Sequence, residues 1–203
     1  ICLRDLTIVD RRQLQMSIRN SILTLAIICL GMVAFTDHSG GIFKTNTGNI
    51  NFFSHTPIED TTADNHKVKT AFDGTSGKLQ FSALIKDFEF PKALMQEHFN
   101  ENYMESTKFP KATFDGMIKN IVAVNTSQEG TYMSAVTGKL TIKDVTKEVS
   151  AQGTFTVKNG VVNAKTTFVI NPEDYNIEIP KTVAGKISKE IKITVDADYR
   201  HAH

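Results

Sequence analysis

Tryptophan is absent from this 203-residue chain, and cysteine is almost absent. The two cysteines, Cys2 and Cys29, both lie close to the N-terminus. The sequence that follows them therefore cannot form a disulfide framework or a cysteine-based metal site. Thirteen phenylalanines are present, so the aromatic bulk of a core comes from phenylalanine instead of tryptophan.

The chain also lacks an excess of charge of either sign. It has 23 Lys and Arg against 22 Asp and Glu, a net charge of +1. A basic field that would attract nucleic acid is therefore missing, and we expect no nucleic-acid partner.

Recognisable catalytic motifs are missing as well. The sequence has no G-x-S-x-G nucleophile elbow, no H-E-x-x-H zinc motif and no glycine-rich phosphate loop after a strand. Pairs of carboxylates close in sequence, such as Asp87 with Glu89 and Glu173 with Asp174, are typical of strand ends and turns. The sequence therefore predicts a protein that is not an enzyme and that uses neither a cofactor nor a metal.

One apolar run, Ile22 to Phe35, is shorter than the roughly 20 residues that cross a bilayer. It follows a short basic start with Arg19 and precedes the polar residues 37–41, the pattern of a secretory signal peptide. We assign residues 16–36 to this peptide, and residues 1–15 to an upstream extension outside the fold. The expected location is periplasmic or secreted, without integral membrane insertion after cleavage. Lipidation at Cys29 is disfavoured by the bulky Ile28 before it.

From residue 42 onward, apolar and polar residues alternate with the period of two that indicates β-strands. Leu79, Phe81 and Ala83 alternate with polar neighbours, and a similar pattern closes the chain at Ile191 to Ala197. Turn signals at residues 73–77, 158–160 and 171–174 separate the runs. The prediction is a mainly β domain over residues 37–203, an eight-stranded antiparallel barrel with a short helix near residues 91–105.

The residue types on the two faces of the predicted strands indicate which side of the barrel is apolar. Lys139, Lys143 and Lys192 lie on the polar parity. A lysine that faced lipid at mid-bilayer would cost roughly 2–4 kcal/mol, so the pattern favours a soluble barrel with an apolar inside. Large and small residues mix on the inward parity, as in Phe114 with Gly116. Such a mixture fits either an internal void or ordinary interdigitation.

Several blocks of sequence resemble the YceI-like family of periplasmic polyisoprenoid-binding proteins, which have a lipocalin-like barrel. These blocks are residues 98–103, 108–114, 136–147 and 173–177, and they include the run Phe-Pro-Lys-Ala-Thr-Phe. The chain departs from the family pattern at Met95 to Glu97, where an Arg-Asp pair is common, and at Asp144, where Gly is usual. The spacing from His98 to Phe114 is also one residue short.

The resemblance implies that a bound polyisoprenoid, quinone or acyl lipid occupies an apolar tunnel, for carriage or storage. Each buried methylene contributes about 0.8 kcal/mol, so a chain of a dozen or so carbons binds without any catalytic group. His98 is either a hydrogen-bond donor to the ligand head group or a helix-surface histidine. The predicted ligand-binding residues are Phe81, Ala83, Ile85, His98, Phe114, Ile118, Tyr132, Val136, Leu140, Phe155, Phe168, Ile170 and Ile193.

Three alternatives stay open on sequence grounds. The same pocket could belong to an enzyme with a small apolar substrate, or the barrel could be an interaction module with a filled core. A homodimer is left open too. His201 and His203 alternate near the C-terminus and could meet one metal ion, although a frayed tail is the simpler interpretation.

Overall fold

Eight antiparallel strands form a closed barrel in the computed structural model, which describes residues 40–202. The predicted signal peptide and upstream extension lie outside the described residues. The strands are β1 (Ile42–His55), β2 (Asp60–Asp73), β3 (Lys78–Leu84), β4 (Lys111–Ile118), β5 (Gly130–Ile142), β6 (Val145–Lys158), β7 (Val161–Ile170) and β8 (Ile191–His201). Each strand pairs with its neighbours in sequence, and β8 pairs with β1 to close the barrel.

The predicted eight-stranded antiparallel barrel is confirmed. The sequence pattern places the first two strands at Gly48 to Ser54 and His66 to Phe72, whereas β1 and β2 begin earlier, at Ile42 and Asp60. Strand β1 also contains irregular register between Thr45 and Ile50 against β2. Such bulges bend a strand and let a short sheet curve into a barrel.

Tight turns join two of the hairpins with backbone that few residues adopt. Lys143 and Asp144 have φ of +48° and +59° between β5 and β6, and Asn159 and Gly160 have +51° and +72° between β6 and β7. Two successive residues with positive φ match the right-handed twist of paired strands. The turn expected at residues 158–160 is confirmed.

The predicted helix is present in the connection between β3 and β4. Helix α1 (Ala93–His98) continues into a π-helical turn, Phe99–Tyr103. Short 3₁₀ turns are found at Ile85–Asp87, Ile121–Ala123 and Pro172–Tyr175. Within residues 40–202, no helix has the length and apolar character needed to cross a membrane.

Buried side chains divide between the two ends of the barrel. At the end that carries the β2–β3, β4–β5 and β6–β7 connections, here named the hairpin end, Phe43 stacks on Phe72 with ring centroids 4.9 Å apart. The opposite end, named the helix end, carries α1. Its buried clusters form around Phe88 and around Tyr175. His201, expected in a frayed tail, instead lies in β8 with its ring edge against Phe43.

Candidate ligand cavity

An apolar cavity of about 150 Å³ lies inside the barrel. Side chains from seven of the strands line it, together with Phe88 from the connection after β3. The lining residues are Ile50, Leu79, Phe81, Ala83, Phe88, Ala112, Thr113, Phe114, Val136, Leu140, Ile142, Val149, Ala151, Gly153, Phe155, Ala164, Lys165, Thr166, Phe168, Ile170, Ile193, Val195 and Tyr199. An apolar cavity of this size accepts a small hydrocarbon.

Most of the predicted ligand-binding residues lie on this cavity. Strands β3 to β8 contribute them, from alternate positions that face inward, as the period of two requires. These residues are Phe81, Ala83, Phe114, Val136, Leu140, Phe155, Phe168, Ile170 and Ile193.

Three apolar residues of the predicted set pack elsewhere. Ile118, 1% exposed, belongs to the core of the hairpin end, and Tyr132 packs against the same core. The Tyr132 hydroxyl donates to the Gln128 carbonyl at 3.0 Å. Ile85 follows the last residue of β3 and packs with Met104 at the helix end. Their parity is inward, but the cavity is shorter than the strands, so inward residues near the strand ends fill the core.

His98 does not line the cavity. It is the last residue of α1, its side chain is exposed, and it contacts solvent on the helix surface. This position fits the surface-histidine interpretation. The structure therefore gives no geometric support for a head-group contact from His98.

Several lining residues were not in the predicted set. Leu79, Ile142, Val149, Ala151 and Val195 continue the same alternation, so the period of two carried a signal for them. Phe88 carried none, because it follows a 3₁₀ turn in a segment without periodicity. Its placement depends on an isolated backbone bridge between Asp64 and Glu89, which holds this segment against β2.

A pair of facing glycines makes room for one aromatic wall of the cavity. Gly116 of β4 pairs with Gly138 of β5. A Cβ on Gly138 would lie 2.7 Å from the Phe114 Cζ, closer than real side chains approach. The Phe114 ring therefore lies close to both glycines. A side chain at either position would clash with this ring and with the backbone of the paired strand.

Polar chemistry in the cavity is limited to a few groups. The Tyr199 and Thr70 hydroxyls share a hydrogen bond of 2.8 Å, and burial raises the pKa of the Tyr199 phenol. Lys165 of β7 lines the cavity only in part. Its Nζ lies outside, 3.0 Å from Oδ2 of Asp196 on β8. Among the lining residues described, none is Ser, Cys, His, Asp or Glu. The arrangement can hold an apolar molecule but presents no nucleophile with an adjacent base.

Metal ligands do not gather in the described part of the chain either. No group of three or more His, Cys, Asp or Glu side chains between residues 40 and 202 could hold an ion.

Comparison with known proteins places this barrel in a family. A family model described as the YceI-like domain matches residues 32–199, most of the chain. The chain belongs to the YceI-like family. No curated protein matches the sequence closely enough to add a functional assignment.

Solved structures share the YceI-like fold at low sequence identity. A structure described as a polyisoprenoid binding domain from Saccharophagus degradans has a TM-score of 0.70 and 13% identity, and the match covers 80% of this chain and 99% of that one. BcnA from Burkholderia cenocepacia has a TM-score of 0.62 and 16% identity, with 75% and 95% covered. The YCEI protein of Campylobacter jejuni has a TM-score of 0.53 and 16% identity, with 78% and 86% covered.

The YceI-like sequence blocks occupy the end of α1 with its π-helical turn, the β4 to β6 part of the barrel and the 3₁₀ turn after β7. One departure from the family pattern has a structural explanation. Asp144 has φ of +59°, a conformation that glycine adopts most readily but that aspartate also tolerates. The hairpin between β5 and β6 therefore keeps its tight turn without glycine at this position.

Proposed function

We propose that this YceI-like protein binds the hydrocarbon part of an isoprenoid, quinone or fatty-acyl lipid, for carriage or storage, and that it catalyses no reaction. The observation that carries the proposal is the apolar cavity inside a closed barrel, with no ionised group directed into it. The likeness to a domain described as polyisoprenoid binding supports the same ligand class.

The cavity volume bears on how much of a lipid is enclosed. A volume of about 150 Å³ suits a small hydrocarbon, which is much less than a polyisoprenoid chain. Each methylene taken from water contributes about 0.8 kcal/mol, so even a few enclosed carbons favour binding. A longer chain must extend beyond the cavity or move the phenylalanine side chains that line it.

Export is part of the proposal. The basic start, short apolar run and polar break in residues 16–41 support removal of a signal peptide and action in the periplasm or outside the cell. Expression of the full chain in a bacterial host, followed by N-terminal sequencing of the exported protein, tests this. A mature N-terminus near Asp37 is expected, and full-length protein that stays in the cytoplasm would contradict it.

Ligand binding is tested by filling the cavity. Val136 lines the cavity from β5, whereas Met133 of the same strand is 66% exposed. We expect Val136→Phe to weaken uptake of cis-parinaric acid, a polyene fatty acid that fluoresces in apolar surroundings, by about tenfold or more, since the larger side chain occupies the space. Val136→Leu adds less volume and should cause an intermediate loss of binding. Met133→Phe should bind the probe like the native protein.

Native cargo provides the second part of the test. Protein purified from its own compartment is extracted with organic solvent, and the extract is analysed by mass spectrometry. An isoprenoid, quinone or acyl lipid at near-stoichiometric amount is expected. A protein that is consistently empty and also takes up no cis-parinaric acid would overturn the proposed function.

A further inference from the structure

The wall of the barrel is incomplete between β6 and β7. The paired ladder of these strands runs from Lys158 and Val161 to Gly153 and Thr166, where Thr166 Oγ1 donates to the Gln152 carbonyl at 2.9 Å. In the described part of the chain, no β6–β7 pair follows toward the helix end. Strand β6 stays paired with β5 there, and β7 stays paired with β8. We name the space between residues 146–152 and residues 167–169 the seam gap.

The seam gap lies directly over the cavity. Val149 and Ala151 on its β6 side, and Phe168 on its β7 side, all line the cavity. These three side chains are partly exposed, whereas the inward residues Phe155 and Val162 of the paired ladder are buried. The inner face of the seam gap is therefore lined by partly exposed apolar side chains.

The helix end of the seam gap is bounded by packed residues. Lys147 Nζ lies 3.9 Å from Asp174 Oδ1, and Tyr175 is buried in a cluster that includes Val145 and Ile170. The gap is therefore a window in the wall, with the ladder on one side and this cluster on the other.

A second short ladder, between β2 and β3, does not leave a comparable window. It ends at Lys69 and Ser82, but the chain after β3 then covers the space. Asn65 Nδ2 donates to the Leu84 carbonyl at 3.0 Å. Asp64 and Glu89 also exchange two backbone hydrogen bonds, of 3.1 and 2.8 Å.

The two ends of the barrel are closed by packed aromatic residues. Phe99 from the turn after α1 lies within 5.0 to 5.7 Å of three other phenylalanine rings at the helix end, namely Phe52, Phe88 and Phe90. At the hairpin end, the ring of Phe72 contacts both Phe43 and Tyr199. Access through either end would require these ring contacts to be broken, whereas the seam gap needs no such change.

We propose that apolar ligands reach the cavity laterally, through the seam gap, and that the part of a long chain which the cavity cannot enclose leaves through the same opening. The inference rests on the proposed function, since it concerns the route to the same site. It assigns the exposed Val169, on the outer rim of the gap, to contact with the chain outside the cavity. Amphiphiles with one long apolar chain and a polar end left in solvent fit this arrangement.

A cross-link over the seam gap tests the route. Ser150→Cys and Val169→Cys place two thiols on the outer face, one on each side of the gap, in a full-length chain with Cys2 and Cys29 replaced by serine. A bismaleimide then joins the strands without filling the cavity. The matched control joins Asp115→Cys to Lys139→Cys, which face each other across the continuous β4–β5 ladder. Uptake of cis-parinaric acid is followed by stopped-flow fluorescence before and after cross-linking.

We expect the link over the seam gap to slow uptake by about tenfold, and the control link to leave the rate within about twofold. Equal rates in both linked proteins would overturn the lateral route. Phe99→Ala, which removes a ring that closes the helix end, is expected to leave the uptake rate unchanged, and faster uptake would assign access to that end instead. If no variant and not even the native protein binds the probe, the proposed function itself fails.

Discussion

At the scale of single residues, the hydroxyl groups of Tyr199 and Thr70 form the main polar contact inside the barrel. Tyr199 is fully buried, and Thr70 is 6% exposed, so neither hydroxyl can hydrogen-bond to bulk water. The two hydroxyls instead share a hydrogen bond of 2.8 Å between β2 and β8, which are far apart in sequence. A buried polar group without a partner costs about 1–3 kcal/mol, so the two residues act as one unit.

We expect Tyr199→Phe to lower the free energy of unfolding by about 1–3 kcal/mol, because the Thr70 hydroxyl is then left without a partner. The double variant Tyr199→Phe with Thr70→Val removes both polar groups and should be less destabilised than the sum of the two single variants. Urea unfolding of the four proteins at neutral pH completes this double-mutant cycle. Strictly additive losses would show that the two hydroxyls do not depend on each other.

At the scale of elements, the turn between β5 and β6 is tied to the connection that carries α1. Lys143 Nζ donates to the Tyr103 carbonyl at 3.0 Å and lies 2.7 Å from Glu105 Oε1. The Lys143 side chain is only 9% exposed, and its Nζ also lies 5.9 Å from the centroid of the Phe109 ring. The hydrogen bond from Lys143 lowers the pKa of the Glu105 carboxyl.

The two turn residues should respond differently to glycine, although both have positive φ. Asp144→Gly relieves a positive φ that glycine adopts more readily than aspartate, so we expect an increase in Tm of roughly 2 °C. Lys143→Gly removes the same strain but also the contacts with Tyr103 and Glu105, and we expect a net decrease of roughly 2–4 °C. Thermal unfolding followed by circular dichroism distinguishes the two. A gain in Tm from both variants would show that the lysine contacts contribute nothing.

Alternation along the chain was sufficient to predict the eight strands, since one buried face imposes a period of two on each strand. The short helix was predicted where this alternation breaks, after Pro91. The segment after β3 could not be predicted in this way. Ile85 continues the inward parity of the strand, but the chain turns there and Phe88 reaches the cavity instead. Residues 85–90 are positioned by backbone hydrogen bonds between Glu89 and Asp64 of β2. A local sequence pattern cannot predict such a contact between distant residues.

The cavity itself depends on the whole molecule. Phe81 beside Ala83 and Phe114 beside Gly116 fit a void or a filled core equally well until the register of all the strands is known. The seam gap is a further case, because Val149, Ala151 and Phe168 alternate as in any paired strand. Whether two strands remain in contact along their full length is set by barrel curvature and by the residues at both ends, not by the alternation in either strand.

The stability of the barrel at high pH follows from tyrosines that lose contact with water on folding. Burial raises the pKa of Tyr199 well above the ordinary value of 10.0, and it raises the pKa of Tyr103 and Tyr175 as well. In the unfolded chain these phenols ionise near pH 10, whereas the folded protein keeps the buried Tyr199 protonated. The unfolded state therefore releases protons first, and the stability of the folded state is lost as pH rises above about 10.

We expect the free energy of unfolding to fall above pH 10 by about 1.4 kcal/mol per pH unit for Tyr199 alone. Tyr199→Phe, which has no ionisable group at this position, should start from a lower stability at neutral pH but lose it less steeply in alkali. Urea unfolding of both proteins between pH 8 and about pH 11.5 measures the two slopes. Parallel slopes would mean that the Tyr199 phenol ionises equally well in the folded protein, which the closed, apolar surroundings of its ring do not allow.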